Sequence, residues 1–532
     1  MRSKTKCELQ LDGVELAIEE RNEDPSRLAA DHLGLPIERV IAASVVRRSI
    51  DSRHGRPRFV LGIRAALSRP PVHLPLHSRL VGPQERFAPA RAVSGRREVI
   101  VVGAGPAGLF AAMRLCQAGL RPVLVERGRD LAARDKDIAA LVVRGHFQAD
   151  SNFHFGLGGA GAYSDGKLFT RLHKPAVRYV LEVLQAHGAG SRDEILVDAQ
   201  PHVGSDRWPR VLASLRKQLE DNGCRFCFGT RIVGLSLEAG RLRALVLEDG
   251  KLACEGAVLA CGNSARDIFE FLHQQGLPIQ AKPFAVGLRM THPQEVIDAI
   301  QYGNYTGSDL GPAGYRLTSR VSGRGVYTFC MCPGGTVIPT PTEADGLSTN
   351  GMSASARDSG QANAGVVAAV SPDDFGGASD PLAGMRFQRK LERAAFTAGG
   401  GDFRAPAQRL IDFMRDEPGA EKTRLPPINY RPAVTAADVG ALMPDWLSAA
   451  LRAGLAAFCK KMRGLDHPGA AVIGLECRTS SPVRIVRGPD GASPGCAGLY
   501  PAGEGSGYAG GIVSSAIDGI RAADALISGF CS

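Results

Sequence analysis

Between residues 8 and 16 the stretch ELQLDGVEL alternates apolar and polar side chains, the period of a half-buried strand. Asp24-Pro25-Ser26 then opens a helix, and two β-rich runs follow, VIAASVV at 40–46 and RFVLGIRAAL at 58–67. Together they predict a small α+β unit, with the Pro- and Arg-rich residues 71–96 as its linker. A second unit begins near residue 98, where the apolar run EVIVV leads through a glycine-rich turn into the Ala/Leu-rich helix LFAAMRLCQAGL. From residue 224 strands and hairpins dominate, including LRALVLEDGKLACEGAVLA with Asp249-Gly250 at its turn. Residues 273–470 are mixed and irregular, and the Gly/Ser/Asn stretch around 342–380 reads equally as a disordered linker or a functional loop. At residue 471 a strand, a glycine cluster and a closing helix return.

A chain of 532 residues needs about three domains, or one large domain carrying insertions, which excludes a small binding module. Hydrophobic residues at 44% and charged residues at 22% match a globular protein and exclude wholesale disorder. No window reaches the roughly 18 to 20 apolar residues of a membrane span, and the basic start MRSKTKCELQLDG has no apolar stretch of a secretory signal behind it. Twelve scattered cysteines without framework spacing suit a reducing cytosol. Cys224 and Cys227 form a CxxC, but on a strand they point to opposite faces, against a metal or redox role. The net charge of +10 is concentrated in residues 1–97, with 18 Lys/Arg against 11 Asp/Glu. This keeps open a nucleic-acid partner for the first domain, although its basic residues are dispersed.

The segment Val101-Val102-Gly103-Ala104-Gly105-Pro106-Ala107-Gly108 follows a buried-type strand and opens a helix. Its glycines allow a tight turn, close approach of a pyrophosphate and close helix packing, and the helix amino terminus offers free N–H groups. A second strand, PVLVE, ends at Glu126, 23 residues after Gly103, where a carboxylate receives the hydroxyls of an adenosine ribose. Dinucleotide binding follows, with Arg127 beside the acid. A second glycine cluster at 498–524, GLYPAGEGSGYAGGIVSSAIDGIRAAD, favours FAD over NAD. It resembles the closing motif of glutathione-reductase-like flavoproteins. That resemblance sets Gly503 and Glu504 near the ribityl chain and Gly510, Gly511 and Ile512 by the flavin pyrimidine; Glu504 is one methylene longer than the usual Asp. Gly262, after the hairpin strand AVLACGNSAR, and Ile232 complete the expected contacts.

The chain as a whole resembles the long, largely uncharacterised bacterial FAD-dependent dehydrogenase family. The strings that carry it are RRSIDSR (47–53), VGAGPAGLFAA (102–112), SNFHFGLGGAGAYSDGKL (151–168), KPFAVGLR (282–289), GVYTFCMCPGG (325–335), NGMS (350–353), RTSSPVRI (478–485) and GEGSGYAGGI (503–512). Leu157 stands where the family commonly has an acid, and Asn263 where it has His. The resemblance implies an α/β fold: a glutathione-reductase-like Rossmann FAD-binding domain at 97–270 and 471–532, an inserted α+β substrate domain at 271–470, and a small α+β domain and linker at 1–96.

The run GLGGAG at 156–161 fits GxGxxG by letter but lacks a following helix and acid, so it reads as a loop against FAD, with Gly158 and Gly159 on it and Lys167 beyond to meet negative charge. No second complete fingerprint exists for NAD(P)H, which could still visit transiently. Arg478 and Arg484, with Thr479, Ser480 and Ser481 between, offer guanidinium and hydroxyl groups to a reduced flavin or a substrate anion, or pair with local acids such as Glu476. Cys330 and Cys332 either exchange with a flavin or are buried structural thiols. His154, His202 and His292 lack partners in sequence and read as structural, and no metal-ligand spacing appears. The expected activity is hydride transfer between a small organic molecule and the flavin, with an RNA-modifying flavoprotein or a non-catalytic flavin binder as alternatives.

Overall fold

The computed structural model describes all residues except 1–6, 54–55, 83–84, 173, 306, 308–309, 418–423 and 532. The first six residues of the basic amino-terminal stretch therefore lie outside the described part. The chain forms a mixed α/β structure with parallel and antiparallel sheets.

The alternating amino-terminal stretch forms Cys7–Ala17, whose apolar side chains line a small core with those of Arg58–Leu67. The antiparallel sheet runs Val40–Asp51, Arg58–Leu67, Cys7–Ala17, Ser78–Leu80. Its helix, Pro25–Leu33, is capped by Asp24, whose carboxylate accepts from the Ser26 N–H at 2.9 Å. Within the Pro-rich linker Ser78–Leu80 extends the sheet, and Phe87 stacks on Tyr179 with ring centroids 4.7 Å apart. This small domain joins the rest through Arg48, whose N–H donates to Val197 O at 2.9 Å and whose carbonyl accepts from Ala199 N at 2.8 Å.

The second unit is built on a five-stranded parallel sheet in the order Leu499–Pro501, Gly256–Leu259, Val99–Val102, Val123–Val125, Arg225–Cys227. Val99 and Val101 face one core, formed with the helices Pro106–Gln117 and Ile512–Cys531, and Ile100 and Val102 face another beneath the hairpin Ile232–Ala253. Burial on both faces explains why these strands are continuously apolar. The two helices touch through small residues: a Cβ on Gly519 would lie 2.0 Å from Ala107 O.

A seven-stranded sheet follows the order Thr318–Val321, Arg324–Cys332, Gln361–Val370, Phe284–Pro293, Ala471–Glu476, Ala405–Arg409, Val434–Ala436. All neighbours are antiparallel except the last pair. Two sequence expectations change here. Ala471–Glu476, assigned from the pattern to the returning FAD-domain portion, is a central strand of this sheet, because its apolar run pairs with Phe284–Pro293 and not with the parallel sheet. The Gly/Ser/Asn stretch is no disordered linker: Gln361–Val370 is another central strand, nearly wholly buried. Its small residues are a packing requirement, since a Cβ on Gly365 would lie 2.8 Å from Glu476 Oε2.

Candidate active site

At the carboxyl end of Val99–Val102 the chain turns through Gly103, with φ +97° and no room for a side chain: a Cβ would meet Ala260 O at 2.3 Å. Gly108 packs back on the same turn, 1.8 Å from Gly103 O by the same measure. The helix Pro106–Gln117 then starts at Gly105 without a side-chain cap, so its first N–H groups and dipole face open space. Glu126, 5% exposed, knits three loops together. Its carboxylate accepts from Ala104 N (2.8 Å), Gly128 N (2.8 Å) and Gly156 N (2.9 Å), which leaves acceptor capacity on Oε2.

The GLGGAG loop lies against this turn, with Gly158 N donating to Ala104 O at 2.9 Å. Arg134, fully buried and unremarked in the sequence, secures the loop by donating to the carbonyls of Asn152 (2.9 Å), Leu157 (2.8 Å) and Gly159 (2.8 Å). Leu157 is itself core.

One cavity of about 940 Å³ joins these elements. Its wall includes Gly103, Gly105, Pro106, Ala107, Glu126, Arg127, Gly159, Lys167, Ile232, Gly262, Gly503, Glu504, Gly510, Gly511 and Ile512. Gly108 and Gly158 lie behind the wall as packing residues, the space at Gly158 being taken by Leu212. Arg127 pairs with Asp150 (2.7 Å) and Asp267 (2.9 Å) and covers the Phe155 ring at 4.2 Å. No atom lies within 4 Å of a Cβ position on Gly262 or Gly510. An uncapped helix start and bare backbone turned into one cavity fit an extended dinucleotide, so the residues present suit FAD.

Glu504 accepts from Asn263 Nδ2 at 2.8 Å, and burial pushes its carboxyl up to about 7 against the Asn263 bond and the nearby Lys282. Ser264 Oγ links Asn263 Oδ1 (2.9 Å) to His154 Nδ1 (3.1 Å). Burial, then Arg478, holds His154 down to about 3, so its ring is neutral. Asn263 is thus part of a polar chain between Glu504 and His154.

Across the cavity Asp165, 1% exposed, gathers Lys167, His202 Nε2 (2.8 Å) and Ser353 Oγ. Burial opposes its charge, but Lys167 and His202 outweigh burial and hold Asp165 below the ordinary carboxylate range. Lys167 Nζ also lies 3.6 Å from Cys332 Sγ, which burial pushes up to about 12. Cys330 and Cys332 are both free; Cys330 lines the cavity at φ +47°. Arg289, 0% exposed, holds this turn with all five donors: two to Glu476 (2.8 and 2.7 Å) and one each to Cys330 O (3.0 Å), Asn363 Oδ1 (2.9 Å) and Asn350 Oδ1 (2.9 Å). Burial disfavours charge on both Arg289 and Glu476, yet the five accepted donors keep the guanidinium protonated.

The Arg478–Arg484 string is divided by the fold. Arg478 lines the cavity, but its fork is bonded to Glu392 (2.9 and 2.8 Å), which Arg266 also meets at 3.0 Å. The local acid Glu476 is instead taken by Arg289. Ser480, Ser481 and Arg484 are not on the cavity wall: Ser481 Oγ donates to Val483 O at 2.8 Å, and Arg484 lies over the Tyr508 ring at 5.1 Å. His292 Nε2 donates to Leu465 O (2.6 Å) in the core. Among the described residues no cluster of His, Cys, Asp and Glu is spaced for a metal ion, and no helix is long and apolar enough to cross a membrane.

Comparison with known proteins places these observations in context. Residues 96–137 match the model of an FAD binding domain, and residues 283–479, the span of the seven-stranded sheet, match the FAD-dependent protein, C-terminal domain-like family. An uncharacterized protein of Clostridium beijerinckii (strain ATCC 51743 / NCIMB 8052) is 36% identical over 537 residues, covering 98% of this chain and 99% of that one. Among solved structures, glycine oxidase from Bacillus cereus ATCC 14579 is 12% identical, with 82% of this chain and 95% of that one covered at a TM-score of 0.35. L-amino acid deaminase from Proteus vulgaris is 12% identical over 84% of this chain and 96% of that one, at a TM-score of 0.34.

Proposed function

The chain belongs with the FAD-dependent proteins whose models its residues 96–137 and 283–479 match, and from that premise we propose that it is an FAD-dependent oxidoreductase acting on a small organic substrate. The observation that carries this reading is the single cavity that runs from the bare glycine turns of the parallel sheet to the polar wall of the seven-stranded sheet. Bound FAD supplies hydride acceptance or donation at its flavin ring.

The chain's own residues supply binding and orientation. The parallel strand order around Val99–Val102 supports a glutathione-reductase-like arrangement of the cofactor. Glu126 receives the adenosine ribose with the acceptor capacity its three loop bonds leave free, the uncapped helix at Gly105 receives the pyrophosphate, and Glu504 with Asn263 meets the ribityl hydroxyls. Gly510, Gly511 and Ile512 present the start of the last helix to the flavin end. Lys167, held by Asp165, keeps a positive charge at the opposite wall, where negative charge on the cofactor or substrate is stabilised. A nicotinamide nucleotide, as a reductant, is a transient visitor in this reading.

No observation favours the nucleic-acid alternative. In the first domain Arg53, Arg56, Arg58, Arg64 and Arg79 each face an acid, which disperses the basic excess. The test is anaerobic: the flavin-loaded protein is mixed with NADH, NADPH and a panel of small metabolites while flavin absorbance is followed. Bleaching by one member identifies the substrate or reductant; a flavin that none of them reduces contradicts the enzyme reading.

A further inference from the structure

Beyond the cradle, the cavity wall includes Met331 and Pro333 of the turn Met331–Cys332–Pro333–Gly334. On one side lies the segment Gly314–Tyr315–Arg316, close enough that a Cβ on Gly314 would touch Met331 Sδ and Pro333 Cγ at 3.4 Å. On the other lies Arg357, in the left-handed region at φ +53°, its carbonyl so near Gly334 that a Cβ there would stand 1.7 Å away. All three side chains of interest, Tyr315, Arg316 and Arg357, line the cavity.

This end differs from the rest of the wall in its charge balance. Elsewhere the cavity's cations are answered: Lys167 by Asp165, Arg48 by Asp198, Arg127 by Asp150 and Asp267, Arg478 by Glu392. Here the Arg357 Nε and the Tyr315 hydroxyl are buried with no partner, and the Arg316 guanidinium lies over the Phe169 ring at 5.4 Å. Among the described residues neither arginine has an ion pair. Burial raises the Tyr315 phenol above its ordinary range, so it remains a donor. Buried donors are nearly always satisfied, and a set of donors without acceptors calls for an acceptor from outside the chain.

We propose that Arg357, Arg316 and the Tyr315 hydroxyl form a subsite for an oxyanion of the substrate, a carboxylate or a phosphate. A planar guanidinium fork matches either group, and a neutral, donor-rich ligand would leave the same donors unpaired. The inference rests on the flavin reading, because it takes the cradle end of this cavity as the cofactor's and the Met331–Gly334 end as the substrate's.

The test uses the full-length, flavin-loaded protein. Benzoate, succinate and phenyl phosphate are titrated at fixed ionic strength, by calorimetry and by the visible spectrum of the flavin, beside neutral benzamide. The expected result is saturable binding of at least one anion, the responding arm telling carboxylate from phosphate. Arg357→Met should weaken it about 10- to 100-fold, the loss of a charge-assisted contact. Arg316→Gln, at an exposed side chain, should weaken it in the same direction. Absence of binding by every anion, unchanged affinity in both variants, or benzamide binding as tightly as benzoate would each overturn the subsite. Protein that carries no flavin would overturn the flavin reading instead, and calorimetry on that same protein would still decide the anion question.

Discussion

Replacing Arg289 by lysine should destabilise the seven-stranded sheet while leaving FAD in place. The guanidinium is wholly buried and satisfies two oxygens of Glu476, the carbonyl of Cys330 and the amide oxygens of Asn350 and Asn363. A lysine ammonium has three donors at one point, so at least two of the five bonds are lost and their acceptors are left buried. At about 1 to 3 kcal/mol for each unsatisfied group, two such groups cost about 2 to 6 kcal/mol, a range that spans the cost of breaking a buried ion pair by changing one partner. The backbone cannot relax to close the gap, because a Cβ on the neighbouring Gly287 would already meet Val366 O at 1.9 Å. At about 2 °C or less per kcal/mol for a chain of this size, the unfolding midpoint should fall by several degrees. The two tryptophans make the assay local: Trp208 lies in the core of the parallel sheet, and Trp446 stacks on Phe387 beside the seven-stranded sheet. In a Trp208→Phe background, thermal unfolding followed by tryptophan emission reports the second region. A midpoint unmoved by Arg289→Lys would refute the role given to the buried pair, and loss of flavin with no loss of stability would refute its separation from the cradle.

Other consequences concern the cradle and the Arg478 cluster. Glu504 is raised from 4.5 to about 7 in the folded chain, so the folded state binds more protons than the unfolded between those values and the flavin-free protein loses stability as pH rises through them. Glu504→Gln should remove a penalty of about 3 kcal/mol above pH 7, and its gain in melting temperature over the parent should grow from pH 5 to pH 8; an equal gain at both would contradict the assignment. Glu126→Ala should cut FAD retention at least about tenfold, through loss of charge-assisted bonds to the ribose and of the acceptor for three loop N–H groups; equilibrium dialysis of FAD measures it, and unchanged retention would contradict it. Glu392→Gln leaves Arg266 to Glu343 (3.1 Å) and Arg478 buried without its acid, and should cost about 3 to 5 kcal/mol; urea unfolding checks it, and a variant as stable as the parent would show that the cluster does not depend on its shared acid.

What was legible in the sequence was local. The turn at Gly103–Gly108 and the cluster at Gly503–Ile512 could be read because strand, turn and helix are consecutive, and Glu126 because the spacing of a βαβ unit puts the end of the second strand beside the first turn. Contacts assembled over long separations were not legible: Asp165 meets His202, 37 residues on, and Ser353, 188 residues on, only in the folded chain. Arg478 shows the same limit, since the nearby acid Glu476 is drawn to Arg289 and the partner, Glu392, comes from a distant helix. The central strand Gln361–Val370 resembled a linker because its small residues, needed to clear the buried Arg289–Glu476 pair, are those that loops also use. Unpaired donors such as Arg357 Nε have no signature in sequence at all, because pairing is a property of the folded neighbourhood.

The central claim, that the glycine-lined cavity holds FAD, is tested most directly by releasing the flavin from protein purified without added cofactor and determining its identity and stoichiometry by chromatography. The account expects FAD at close to one equivalent per chain, because Glu126 and the helix at Gly105 address the adenosine and pyrophosphate portions of the molecule. FMN, which lacks the adenosine, or protein that neither carries nor takes up FAD would contradict it.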